Sequence, residues 1–203
     1  MTGQAAGRAT RFRHLLYDYN ERPDERERIV GIIQQEFCTT LAVLVIDTCG
    51  FTRQTHALGI IPFLARQELL ERLIGPVVAQ HGGRLLCTEA DNFFAVFPDA
   101  AAAVSCAAET MGHVAAANEA LPAADETRIS IGIGYGSVLD LGDGHLYGDE
   151  MNFAFKLGED LAAAGETLLT PAAHAALGET GWRFEERSYD IAGLHLTAYR
   201  LLA

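Results

Sequence analysis

Leu41-Ala42-Val43-Leu44-Val45-Ile46 is a short, unbroken apolar run that stops at Asp47. A run of this kind makes a strand buried on both faces, and the rest of the fold has to be arranged around it. The segments that follow alternate in character. Ile60 to Gln80 has the spacing of a long helix and ends in His81-Gly82-Gly83, a chain-reversal signal. Arg84 to Thr88 and Asn92 to Phe97 read as two strands in a tight hairpin, with Glu89-Ala90-Asp91 at or beside its tip. Asp99 is a good N-cap for an alanine-rich helix running to about Glu119. Arg128 to Tyr135 sets Ile129, Ile131 and Ile133 between small residues, a strand pattern.

Beyond a turn-rich arm at Asp140 to Gly144, a helix is expected from Asp149 to about Ala163, stopped by Gly165. Thr167 to Leu169 reads as a short strand, Pro171 to Leu177 as a short helix, and Trp182 to Leu202 as two last strands. The order βαββαβ with an αβ extension predicts a ferredoxin-like α+β sheet with helices on one face. Residues 1–40 are expected to be a lead-in, polar and mobile to about residue 20, then a helix from Asp24 to Phe37 with Ile29, Ile32, Ile33 and Phe37 at helical spacing. The single main domain is then 41–203.

Charge narrows the possible partners. Against 15 Lys+Arg stand 27 Asp+Glu, a formal net charge of −12, which argues against a nucleic-acid surface. A nucleotide remains compatible, because a divalent metal or a few local cations suffice for a triphosphate. Apolar runs fall short of the about 18 residues of a membrane-spanning helix. With no signal-like segment and no paired spacing among Cys38, Cys49, Cys87 and Cys106, reduced thiols and a cytoplasmic protein are expected.

Asp47 is the first chemically suggestive residue. A carboxylate at a strand end, next to Thr48-Cys49-Gly50-Phe51-Thr52, suits a site that holds a divalent metal and a phosphate together. If the following hairpin pairs beside the first strand, Asp91 converges on Asp47, and two such carboxylates repel unless a cation bridges them. Taken singly, Asp47 also reads as a loop cap and Asp91 as a turn residue.

The ordered set of motifs resembles the class III adenylyl and guanylyl cyclases over about Leu41 to Leu201. It comprises Asp-x-x-Gly-Phe-Thr after an apolar strand, His-Gly-Gly before a strand, Asp91 leading into Phe94-Ala95-Val96-Phe97, and Gly148-Asp149-Glu150-Met151-Asn152-Phe153-Ala154 opening a helix. The resemblance implies a head-to-tail homodimer with nucleoside triphosphate bound between the chains; the short apolar runs, separately, lead to the expectation of no membrane partner. It implies Asp47 and Asp91 as ligands of two Mg²⁺ or Mn²⁺ per site, with Thr48, Gly50, Phe51 and Thr52 around the phosphates. It implies Asn152 on the ribose and Lys156, one helical turn on, at the α-phosphate. Cys87 and His145 stand at the base-selecting positions. The implied product is a 3′,5′-cyclic nucleotide, cyclic AMP by family frequency, acting in signal transduction.

Several residues depart from that pattern. Lys156 stands where the family has Arg, keeping the charge and losing the bidentate fork; an ion pair with Glu159 or Asp160 is its other reading. Cys87 and His145 match neither base code of the family, so GTP or a pyrimidine triphosphate stays open, and His145 also reads as an exposed arm residue. Glu89 is either a third carboxylate beside the metal or exposed on the hairpin. Ile191-Ala192-Gly193-Leu194-His195 lacks the Lys that the family often directs at the triphosphate, leaving Arg53 and Arg84 as substitutes. These departures also fit a cyclase-homology domain that binds nucleotide or only dimerises to regulate a partner.

Overall fold

The computed structural model describes residues 3–50, 56, 59–89, 92–121, 126–142, 144–191 and 194–202. The apolar run lies within β1 (Cys38–Thr48), an interior strand of an 8-stranded sheet. β1 is flanked by β3 (Asn92–Phe97) and β4 (Ile129–Asp140), both antiparallel to it. β2 (Arg84–Glu89) pairs with β3, closing the ferredoxin-like order β2-β3-β1-β4. The sheet continues through β6 (Thr167–Leu169, parallel to β4) to β8 (Leu194–Leu202) and β7 (Arg183–Ile191), while β5 (Leu146–Tyr147) folds back on β4. The sequence therefore places the core strands correctly, with β1 and β4 longer than their apolar stretches.

The alternation of β1 divides its side chains between two faces. Ala42, Leu44 and Ile46 meet Leu70, Ile74, Val77 and Val78 of α3 (Ile60–Gln80) and Ala103, Val104 and Ala107 of α4 (Ala100–Asn118). The Asp99 carboxylate caps α4, accepting from the Ala102 N–H at 2.8 Å. On the opposite face Val43 and Val45 join Phe94, Val96 and Ala154 of α5 (Asp149–Lys156). Helices thus cover both faces of the central strands rather than one.

The helix expected from Asp149 to about Ala163 runs to Leu161, but its pitch changes on the way. After Lys156 the chain widens into a π-type turn at Leu157–Leu161. The turn seats Gly158 on the sheet, where a Cβ would lie 3.1 Å from both the Gly132 nitrogen and the Val45 carbonyl oxygen. The strand beneath is equally bare. Cβ atoms at Gly132 and Gly134 would fall 2.0 Å and 2.4 Å from the Ala154 and Glu150 carbonyl oxygens. The small residues between the isoleucines of β4 are therefore the bed on which α5 lies.

The N-terminal segment is helical where a mobile lead-in was expected: α1 (Gly3–Glu21) precedes a short 3₁₀ turn and α2 (Arg26–Phe37). Leu15 packs with Ile29 and Phe37 of α2 and Leu141 beyond β4, and Phe12 meets the Phe37 ring edge-on at 5.3 Å. Arg8 ties the helix down, donating to the Glu36 and Asp140 carbonyl oxygens at 3.1 and 3.0 Å. Phe12, Leu15, Leu16 and Tyr19 do have helical spacing, diluted by the charged residues around them. Among the described residues no helix is long and apolar enough to cross a membrane.

Candidate active site

Asp47 is half-buried, one residue before the end of β1. It pairs with Asn92 of β3 on one side and Ser130 of β4 on the other, so these three side chains rise from the face that carries α5. The Ser130 hydroxyl donates to Asp47 Oδ2 at 3.4 Å and lies 3.5 Å from Cys49 Sγ. Burial pushes the Cys49 thiol up; the Ser130 hydrogen bond opposes this, and the Asp47 charge adds to the rise. Buried Gln67 of α3 donates to the Thr48 hydroxyl at 3.4 Å and pins the strand end.

Asn92 and Glu159 are site residues that sequence reasoning missed. Asn92 is buried, and its Nδ2 donates to the Glu159 carboxylate in the turn after α5. Its Oδ1 is buried and accepts no hydrogen bond among the described residues. Neither residue belongs to a motif: the register of β1 with β3 sets Asn92 opposite Asp47, and the Asn92 amide brings in Glu159. Glu150 is a second omission. It accepts from the Tyr135 N–H at 3.0 Å and the Thr170 hydroxyl at 2.6 Å, which locks the start of α5 onto β4.

Asn152 is exposed on α5, and Lys156 follows one turn later on the same side. Lys156 Nζ is 2.6 Å from Asp160 Oδ2, one of the two partners the sequence offered. His145 is exposed in the β4–β5 arm, lining a cavity of about 250 Å³ with Phe12, Arg13 and Leu16 of α1 and with Leu141 and Tyr147. Arg84 is 2.7 Å from Asp140 at that arm end, where it pairs with Val96 rather than approaching Asp47. Phe51, Thr52, Arg53 and Asp91 lie outside the described residues, and so do the side chains of Cys87 and Glu89; the Cys87 backbone pairs with Phe94. Gly50 is described, with φ of 87° in the turn after β1.

One chain therefore brings Asp47, Thr48, Asn92 and Glu159 together at one end of β1, and holds Asn152 and Lys156 on the helix beside it. His145 is kept apart. Asp47 pairs with Ser130 whereas His145 lies beyond Asp140, so roughly 30 Å of strand separates them at ~3.3 Å per residue. Beside the Cys49 sulfur, the Asp47 end offers carboxylate, amide and hydroxyl oxygens, the donors that a hard divalent cation prefers. Among the described residues there is no cluster of three His, Cys, Asp or Glu side chains able to hold a metal. Asp47 and the buried Asn92 oxygen nevertheless fit one side of a Mg²⁺ or Mn²⁺ site.

No family model matches the chain. It is 31% identical over 157 residues, 73% of its length, to a putative adenylate cyclase 3 of Rhizobium meliloti (strain 1021). It is also 31% identical over 141 residues, 67% of its length, to the serine/threonine-protein kinase pkn2 of Myxococcus xanthus. The chain spans only 25% and 16% of those two proteins. Among solved structures it superposes with a TM-score of 0.68 on an adenylate/guanylate cyclase/hydrolase from Silicibacter pomeroyi, at 26% identity, covering 82% of this chain and 98% of that one. By its sheet order and these likenesses, the chain has the fold of the class III adenylate/guanylate cyclase catalytic domains and resembles them in sequence.

Proposed function

We propose that the chain converts a nucleoside triphosphate to a 3′,5′-cyclic nucleotide and pyrophosphate at a site shared by two copies packed head to tail, with ATP the first substrate to test. The distance between Asp47 and His145 carries this reading. A cation at Asp47 and a base read at His145 are further apart along β4 than one nucleoside triphosphate reaches. Two antiparallel copies bring the Asp47 end of one against the α5 and arm surface of the other, giving two equivalent sites.

In this site Asp47, with Asp91 from the hairpin, holds Mg²⁺ or Mn²⁺. When bound, the metal pair lowers the pKa of the ribose 3′-hydroxyl and neutralises triphosphate charge. Asn152 orients the ribose through its side-chain amide, so that the 3′-oxygen lies in line with the α-phosphorus. The bond from the 3′-oxygen to phosphorus forms as the bond to the pyrophosphate oxygen breaks, and the hydroxyl proton leaves to solvent. Lys156 supplies one point charge to the α-phosphate and must exchange Asp160 to do so. Gly50 and Thr48, with Phe51 and Thr52, line the phosphates. Cys87 and His145 face the base: neither ranks purines as a Lys does, which keeps GTP and pyrimidine triphosphates among the candidate substrates.

Purified protein incubated with each of the four NTPs and Mn²⁺ should release one cyclic nucleotide, resolved by chromatography and mass spectrometry. A folded dimer that makes none from any NTP ends this reading. The Lys156–Asp160 ion pair favours one other outcome, a domain that binds nucleotide without turning it over. Calorimetry showing metal-dependent NTP binding without product would identify it.

A further inference from the structure

Asn92 is the polar exception in a buried strand. β3 otherwise consists of Phe93, Phe94, Ala95, Val96 and Phe97, and Asn92 is as inaccessible as these, at 5% exposure. Its Nδ2 donates to Glu159. A carboxylate only accepts, so the amide is held with its nitrogen toward Glu159 and its oxygen turned to the other side. That oxygen is buried and has no partner among the described residues, an arrangement that folded proteins rarely tolerate without a ligand or a role. Asn92 is the direct partner of Asp47 across β1 and β3. Directly opposed residues rise from the same face with Cβ atoms about 5 Å apart. An amide oxygen and a carboxylate at that separation are two hard donors of the kind divalent cations collect, and the amide adds no charge to an already acidic site.

We propose that Asn92 Oδ1 is an oxygen donor to the cation held by Asp47, and that Glu159 fixes its direction. Through Glu159 the donor is also tied to the turn that ends α5, so cation position and helix position are set by one hydrogen bond. The proposal rests on the metal-dependent reading of Asp47.

The test uses the whole chain and Mn²⁺ alone. Free Mn²⁺ is followed by electron paramagnetic resonance, and thermal unfolding is recorded with and without the ion, for the wild type, Asp47→Asn, Asn92→Leu and Asn92→Asp. The wild type should bind Mn²⁺, and Asp47→Asn should lose it. Asn92→Leu should weaken binding at least about tenfold. Asn92→Asp should retain binding and gain a larger Mn²⁺-induced rise in Tm than the wild type, since a further carboxylate beside Asp47 and Glu159 repels until a cation joins them. Binding by Asn92→Leu within a factor of two of wild type, with a Tm loss indifferent to Mn²⁺, would overturn the proposal and leave Asn92 a structural tie. If Asn92→Leu fails to fold, an Mn²⁺ response of Asn92→Asp no larger than the wild type's overturns it equally. A wild type that does not bind Mn²⁺ refutes the metal reading itself, and this proposal with it.

Discussion

On one face of the sheet Leu44, Ile46, Ile129, Ile131 and Ile133 meet α3 and α4 through a thick layer of side chains. On the other, Gly132 and Gly134 of the same β4 let α5 lie on the backbone itself. Side-chain layers have slack, because neighbours can shift rotamers to fill part of a gap. Backbone against backbone has none. The thick face therefore supplies stability, and the thin face supplies position: it fixes where each copy holds the α5 side that carries Asn152 and Lys156.

Asp47→Ala should break the thin face chemically without breaking it structurally. Metal-dependent turnover should disappear while the Tm holds, because removing a carboxylate that needs a cation relieves repulsion in the metal-free protein. Asp91→Ala should behave alike, and full activity in either variant would remove the metal assignment. Gly132→Val comes next. Its Cβ would meet the Ala154 carbonyl oxygen at 2.0 Å, so α5 must move. A displacement of about 1 Å at a reacting centre costs ~100-fold in rate, and turnover should fall at least that far even in the fraction that urea titration shows to be folded.

Ile131→Ala on the thick face should do the reverse. It should cost about 2–5 kcal/mol of stability and leave the turnover of the folded fraction near wild type. An activity loss out of proportion to unfolding would erase the distinction between the faces. Lys156→Arg is smaller: a severalfold gain in turnover is expected if this cation leaves Asp160 for the phosphate, and no change if it stays paired. Smallest is a labelling difference at Cys106, buried in the thick layer, where burial pushes the thiol up to about 11. Below that pH the neutral thiol predominates. A thiol reagent at pH 8 should therefore spare Cys106 in the native protein and label it in urea; rapid native labelling would show the thick face opening.

How far the sequence could be read follows the same division. β1 and β3 were legible as unbroken apolar runs, and β4, α3 and α4 by an apolar pattern of their own, signals that depend only on local geometry. α1 was missed because its four apolar positions are diluted among charges and gain meaning only against Phe37 and Leu141. The change of pitch after Lys156 was not legible because Gly158 answers to Val45 and Gly132, far away in the chain. Lys156 had two acidic candidates within one turn, and side-chain packing chose Asp160 over Glu159, which instead reaches Asn92.

The amino-acid order alone determined that a doubly buried strand ends in a carboxylate, that a hairpin and a second isoleucine-bearing strand follow, and that Asn152 and Lys156 share a helix side. These are consequences of spacing along one segment. Tertiary structure alone decided that Asn92 stands opposite Asp47, that Glu159 holds its amide from 67 residues away, and that His145 lies against α1 at the far end of the sheet. Those relations depend on strand register and on how closely a helix approaches bare backbone, and neither is written in the periodicity of any single segment.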